Sequence, residues 1–300
     1  MKKVAVLMGG TSSEREVSLQ SGRNVYEALS SLNKYEVVAV DVRDDSLSAL
    51  PEGVDAVYIA LHGGWGENGG VQQALNERKI PYTGPGVLAS SIAMDKVKTK
   101  MVLGMKNVPT AEWALANRDT EKSPLPLPVV VKPPADGSSV GISKVSDASE
   151  WAKCRDAAFA VVSDKGAEAT VMVEEFVPGR EFTVAVVNGV AWPVIEIVAK
   201  GGWYGYEEKY NSEETKYPFF EGAEAEKMQR IAVDAYNAVG CRGVTRVDFR
   251  MSPLGRMYVL ELNTSPGFTS HSLVPKAGMK TGLTFAEVCD AILSKADFDR

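Results

Sequence analysis

Short apolar runs alternate with helical periodicities through the first third of the chain. Apolar runs at 4–8, 36–40 and 55–60 flank segments 17–32 and 71–78, where apolar residues recur at helical spacing. This strand–helix rhythm predicts a parallel sheet covered by helices. Ligands approach such a sheet at the carboxyl ends of its strands. The loops expected there are Gly9-Gly10-Thr11-Ser12 and His62-Gly63-Gly64-Trp65-Gly66-Glu67-Asn68-Gly69-Gly70, whose glycines let backbone come close to a ligand. Turn signals then cluster at Pro81-Tyr82-Thr83-Gly84-Pro85-Gly86 and mark a boundary before helices at 87–93 and 96–105. Further on, strands are predicted at 129–134, closed by prolines, at 171–177, closed by Pro178-Gly179, and at 181–187 and 191–197. A polar aromatic loop at 201–217, a helix at 223–239 and two more strands complete the pattern. No internal repeat or low-complexity tract interrupts it.

The sharpest local feature is a hairpin. Arg246-Val247-Asp248-Phe249-Arg250 runs into the turn Ser252-Pro253-Leu254-Gly255 and returns as Met257-Tyr258-Val259-Leu260-Glu261-Leu262-Asn263. Alternation puts Arg246, Asp248 and Arg250 on one face, and Glu261 and Asn263 likewise. A hairpin closing symmetrically sets Asp248 opposite Glu261, and facing like charges are destabilising unless a cation lies between them. Two carboxylates and an amide oxygen suit Mg²⁺ or Mn²⁺. A solvated face on which Arg246 and Arg250 neutralise Asp248 accounts for the same residues. The continuation Thr264-Ser265-Pro266-Gly267-Phe268-Thr269-Ser270-His271-Ser272 tips the balance toward an anion site, because it supplies hydroxyls and backbone donors.

Asp136-Gly137-Ser138-Ser139-Val140-Gly141 follows the strand that carries Lys132, and its amides could close over phosphates. Taken singly, a hairpin turn and a snorkelling lysine are the simpler account. Neither GxxxxGK[ST] nor GxGxxG occurs, so a nucleotide site needs another design.

Composition narrows the classes. The 300 residues suffice for two or three domains, and 45% hydrophobic with 24% charged residues is ordinary for a globular protein. No apolar run approaches the roughly 20 residues of a membrane span. The apolar start ends at Gly9-Gly10 and meets Glu14-Arg15-Glu16, which favours a buried first strand over a signal peptide. The net charge of −6 speaks against a nucleic-acid surface. Two histidines and three scattered cysteines nearly exclude a histidine-based zinc site, leaving oxygen ligands for any metal and reduced thiols for Cys154, Cys241 and Cys289.

Three motifs in order carry a resemblance that covers nearly the whole chain. Gly9-Gly10-Thr11-Ser12-Ser13-Glu14-Arg15-Glu16-Val17-Ser18, the H-G-x-x-G-E-[DN]-G segment beginning at His62, and Leu260 to Ser272 are similar to signatures of the D-alanine–D-alanine ligase family of ATP-grasp enzymes. Asn68 stands where aspartate is commoner. The resemblance implies a mixed α/β and α+β chain. An N-terminal parallel-sheet, Rossmann-like domain would span 1–86, a central ATP-grasp subdomain 87–177, and a C-terminal subdomain with the metal and substrate site 178–300. It also implies roles. Lys96 and Lys132 contact phosphates under a loop containing Ser138 and Ser139. Glu174, Glu175, Phe176 and Val177 form the adenine hinge, and Glu181 meets the ribose. Asp248, Glu261 and Asn263 hold two Mg²⁺ (or Mn²⁺) ions.

The implied reaction joins two D-alanines through a D-alanyl phosphate for peptidoglycan precursors, in the cytoplasm and as a homodimer, with no nucleic-acid or membrane partner. Glu14 receives the first D-alanine's ammonium and His62 sits beside it, although a structural histidine is an equal reading. Arg246 and the Gly267 amide face the oxyanion. Ser272 and the Leu273 backbone bind the second carboxylate with Lys209 nearby, and Tyr210 closes the site, linked to Ser138 and Glu14. The rival readings are a ligase using D-serine or D-lactate, a ligase of the same fold acting on other metabolites, and a non-catalytic nucleotide-binding protein. Tyr210 speaks against D-lactate, since ligases resembling the lactate-using enzymes carry a different residue in this loop.

Overall fold

The structure, a computed structural model, describes residues 1–135, 141–162, 169–199, 214–269 and 271–299. The first alternating segment forms a parallel sheet of β1 (Lys2–Gly9), β2 (Tyr35–Val42) and β3 (Ala56–Ile59), in the order β2-β1-β3. The run Val4 to Met8 is apolar at every position because both faces are covered. Val4, Val6 and Met8 share a core with Val25 and Leu29 of α1 (Arg15–Ser31). Ala5 and Leu7 enter a second core with Val71 and Leu75 of α2 (Gly70–Glu77). Tyr82 extends the sheet, bridging parallel to Val57 and antiparallel to Asp297.

Two antiparallel sheets follow α3 (Val87–Met94) and α4 (Lys96–Met105). The first contains β4 (Trp113–Ala116), β5 (Val129–Lys132), β6 (Ser143–Val145) and β7 (Val171–Glu175), ordered β4-β7-β5-β6. Trp151, Ala158 and Phe159 of α5 (Trp151–Val161) fill its core. The second contains β8 (Arg180–Val187), β9 (Val190–Ala191), β10 (Val194–Ile197), β11 (Phe219–Phe220), β12 (Val244–Met251) and β13 (Met257–Asn263). Its order is β11-β10-β8-β12-β13, with β9 beside β8. The strand expected at 191–197 is divided because Pro193, lacking an N–H, cannot continue the ladder.

The faces of this second sheet decide where chemistry can occur. One face, with Phe182, Val184, Val247 and Phe249, is buried with Ala89, Ala93 and Leu103 of α3 and α4 and with α6 (Ala223–Val239). The other face changes character along its length. At one end Ala185, Val187 and Val244 join the core of β1 and α1, together with α7 (Leu273–Lys280) and α8 (Phe285–Leu293). At the other end Glu181 and Thr183 stand beside Arg250 and Asp248. The apolar end docks the sheet against the first unit, and the polar end is left for a ligand.

Candidate active site

Asp248 and Glu261 are directly paired across β12 and β13, and Arg246 is paired with Asn263. Simple alternation alone would not keep both strands in phase. The register shifts between Asp248 and Phe249, and Leu260 is the extra residue that lets Glu261 and Asn263 share a face with Asp248. Asp248 accepts from the Thr183 hydroxyl at 2.6 Å and from Arg246 Nε and Nη2 at 2.9 and 2.7 Å. Arg250 serves other groups, donating to the Val177 carbonyl and to Glu181, both at 3.1 Å. Of the two arginines, only Arg246 therefore neutralises Asp248. Asn263 Oδ1 accepts the Ser265 N–H at 3.0 Å, which starts the turn toward Gly267. Among the described residues no group of three or more His, Cys, Asp and Glu residues gathers as a metal site. Two carboxylates and an amide oxygen on one face nevertheless form an all-oxygen donor set suited to a hard divalent cation that keeps waters or phosphate oxygens.

A lysine borders this face. Lys96 opens α4 behind Asp95, whose carboxylate caps the Val97 and Lys98 amides, and its ammonium lies 3.9 Å from Glu261. The Lys96 N–H donates to the Pro134 carbonyl at 2.8 Å, fixing the helix start to the segment after β5. Lys132, at the end of β5, pairs with Glu174, and Lys100 pairs with the same carboxylate. Glu174 lies on β7 between β4 and β5, with its side chain buried. The Glu175 and Phe176 amides are committed to the Glu112 and Pro128 carbonyls at 2.8 and 3.1 Å. Phe176 lies under Lys144 and Arg250, 3.8 and 5.5 Å from its ring centroid.

At the opposite end, Glu14 precedes α1 and reaches the glycine loop after β3. A Cβ on Gly63, which sits at φ 68°, would lie 2.9 Å from Glu14 Oε2, so a side chain there would be strained and would crowd the carboxylate. Both ring nitrogens of buried His62 are engaged, Nε2 with Ser21 Oγ at 3.0 Å and Nδ1 with the Ser265 carbonyl at 2.9 Å. A carbonyl only accepts, so Nδ1 carries the hydrogen and the Ser21 hydroxyl donates to Nε2. Burial lowers the His62 pKa against the opposing pull of Glu14 and the Ser265 carbonyl. The Ser21 oxygen also accepts the Phe268 N–H at 3.1 Å. His62 and Ser21 thus grip both sides of Gly267. Beyond it, Ser272 precedes α7 and accepts the Thr269 N–H at 2.8 Å, and Leu273 is the first residue of that helix. Ser138, Ser139, Lys209 and Tyr210 lie outside the described residues.

A family model described as D-ala D-ala ligase C-terminus matches residues 88–294, and one described as D-ala D-ala ligase N-terminus matches residues 3–48. The chain belongs to the D-alanine–D-alanine ligase family. It is 46% identical to the D-alanine–D-alanine ligase of Bordetella avium, over 98% of this chain and 94% of that one. Identity to the Syntrophotalea carbinolica ligase is 44%, covering 98% and 96%. A Bacillus anthracis D-alanine–D-alanine ligase superposes with a TM-score of 0.84 at 30% identity, covering 98% of this chain and 97% of that one. The D-Ala:D-Ser ligase VanG of Enterococcus faecalis gives 0.82 at 28%, covering 98% of each. The family and the ATP-grasp fold expected from the motifs are borne out.

Within this ligase family member, Glu67, Lys100, Ser21 and Ser265 were given no role of their own by the sequence, yet each touches the candidate site or holds a residue that does. Glu67 carried a signal, since it lies inside the His62 motif. Its pKa is raised to about 8, first by burial, then by the Glu14 and Glu261 carboxylates, against the Gly63 amide and Arg246. The folded chain therefore holds a proton that the unfolded chain has released. Stability falls as pH rises through the window between the ordinary carboxyl value of about 4.3 and the raised value. The loss is complete only above about 8. Glu67→Gln is expected to melt several degrees above the parent at pH 8.5 and to differ little at pH 5, without nucleotide or divalent cations. Equal gains at both pH values would assign the effect to packing instead.

Proposed function

We propose that the chain joins two D-alanine molecules into D-alanyl-D-alanine at the expense of ATP, with the residues just described in the following roles. The first D-alanine's carboxylate oxygen attacks the γ-phosphorus, ADP leaves, and the second amino acid's nitrogen attacks the acyl carbon of the acylphosphate, expelling phosphate. Lys96 and Lys132 neutralise phosphate oxygens, with Ser138 and Ser139 in the covering loop. The segment Glu174, Glu175, Phe176 and Val177 receives adenine, and Glu181 the ribose. Asp248, Glu261 and Asn263 would hold Mg²⁺ or Mn²⁺, which when bound supplies charge neutralisation at the phosphoryl oxygens. Glu14 takes the first ammonium beside His62. Arg246 and the Gly267 amide face the oxyanion of the tetrahedral intermediate. Ser272 and the Leu273 amide, at a helix N-terminus, take the second carboxylate near Lys209. Tyr210 is assigned, with Ser138 and Glu14, to keeping water from the acylphosphate.

The observation that carries this reading is the pairing of Asp248 with Glu261 on a face shared with Arg246, with Lys96 beside Glu261. Full-length similarity to named D-alanine–D-alanine ligases supports the substrate, and one similar structure is described as complexed with ATP. We place this activity in peptidoglycan precursor synthesis in the cytoplasm, by a homodimer whose chains divide at 1–86, 87–177 and 178–300. Among the described residues no helix is long and apolar enough to cross a membrane. A coupled assay for ADP release should give rapid turnover with D-alanine and slow turnover with L-alanine, D-serine or D-lactate at neutral pH. Comparable rates with D-alanine and D-lactate would overturn the second-substrate assignment, and no release with D-alanine would sink the reading.

A further inference from the structure

Lys100 lies in the middle of α4 with 0% of its side chain exposed. It is four residues from Lys96, on the same helix face, so that face presents one ammonium toward Glu261 and the other to Glu174. The Lys100 ammonium has three acceptors: the Glu174 carboxylate, the Thr110 hydroxyl at 2.5 Å and the Val259 carbonyl at 3.4 Å. Thr110 spends its own hydrogen on the Val259 carbonyl at 2.8 Å, so its oxygen is an acceptor toward Lys100. Burial, with Lys132 nearby, pulls the Lys100 pKa below its usual value against the Glu174 carboxylate, but three acceptors for three protons fit a charged ammonium.

Glu174 is shared unequally. Lys100 takes Oε1 from a fully enclosed position, and Lys132 takes Oε2 from the more accessible side, with 11% of its side chain exposed. Burial alone would raise the Glu174 pKa, but the two ammonium groups outweigh it and hold the carboxyl below its usual range. The carboxylate is therefore ionised, and a buried carboxylate stripped of every counter-ion is strongly unfavourable. Lys132 spends a proton of its ammonium on Glu174, and turning that ammonium fully to a phosphate means giving up this bond. Lys132 can do so without that penalty only because a second cation stays behind.

We propose that Lys100 is a positioning residue for the nucleotide, a permanent counter-ion of Glu174 that frees Lys132 to exchange this carboxylate for a phosphate of ATP. The inference rests on the assignment of Lys132 to the phosphates. Without Lys100 the buried carboxylate has Lys132 as its remaining partner and competes with ATP for it.

Lys100→Met keeps the length of the side chain and removes its charge. It is expected to raise the KM for ATP by about tenfold, with kcat and the KM for D-alanine within about threefold. Inhibition by adenosine, which offers Lys132 no phosphate, should be unchanged. Lys100→Met combined with Glu174→Gln removes the competing carboxylate and should bring the KM for ATP to within about threefold of Glu174→Gln alone. An unchanged KM for ATP in Lys100→Met, or equal weakening of ATP and adenosine, would overturn the inference. Should Lys100→Met not fold, Glu174→Gln and the double variant, which leaves no buried carboxylate there, decide the matter. Matching KM values support the exchange, and a further rise of about tenfold in the double variant places Lys100 on the phosphate itself and overturns it. Lys132→Ala separates the two levels. No rise in the KM for ATP there would remove the phosphate assignment, whereas a rise there but none in Lys100→Met removes the exchange alone.

Discussion

Arg246→Ala is expected to lower dipeptide turnover by about 10²- to 10³-fold while leaving ATP binding within about twofold of the parent. The guanidinium is held in advance by Asp248, through Nε and Nη2 at 2.9 and 2.7 Å. Asp248 is fixed in turn by the Thr183 hydroxyl at 2.6 Å. A donor oriented by the fold costs no reorganisation when charge develops on the substrate oxygen, which is the condition under which it accelerates a reaction most. Steady-state turnover, together with ATP binding measured without D-alanine, checks the prediction. Near-normal turnover would remove Arg246 from the oxyanion. A large loss of ATP binding would instead mean that its chief task is to orient Asp248.

Removal of divalent cations by a chelator should abolish ADP release, and Mg²⁺ or Mn²⁺ should restore it. Glu261→Gln and Asp248→Asn are expected to lower kcat on the order of 10³-fold even at saturating cation, equivalent to several kcal/mol of lost charge stabilisation. Each substitution keeps the shape of the side chain while deleting the negative charge that would attract the ion, and it turns one of the two acceptor oxygens into a donor. Mn²⁺ binding followed by electron paramagnetic resonance supplies a readout independent of turnover. Full Mn²⁺ affinity in both variants would move the cation away from this hairpin.

Much of this arrangement was legible in the sequence because it follows from periodicity. The strands at 4–8, 36–40 and 181–187 and the helix at 223–239 stand where apolar spacing placed them. The opposition of Asp248 and Glu261 followed from closing one hairpin, although the bulge at Leu260 that keeps it in phase has no local signal. Shorter or less periodic elements were missed: β4, β6, β11, α5, α7 and α8. Signals were present for two of them, since Asp147 with Glu150 forms a capping box on the 3-10 turn Ala148–Glu150 that leads into α5, and Thr284 with Glu287 forms one at the start of α8. The lysine pair on Glu174 could not be read locally. Lys100, Lys132 and Glu174 come from a helix and two strands far apart in sequence, and only the fold shows that one carboxylate serves both.

The hydrogen bonds at His62 bear on how freely the parts of this chain could be exchanged. Ser21 and His62 lie in the first 86 residues, but their partners, the Ser265 carbonyl and the Phe268 amide, lie near the other end of the chain. A chimera that replaces the first segment with that of a relative therefore imports half of the support for the Gly267 turn. Transplants that keep this serine and histidine should splice cleanly. Those that lose either would leave a catalytic loop built for a neighbour that is no longer there.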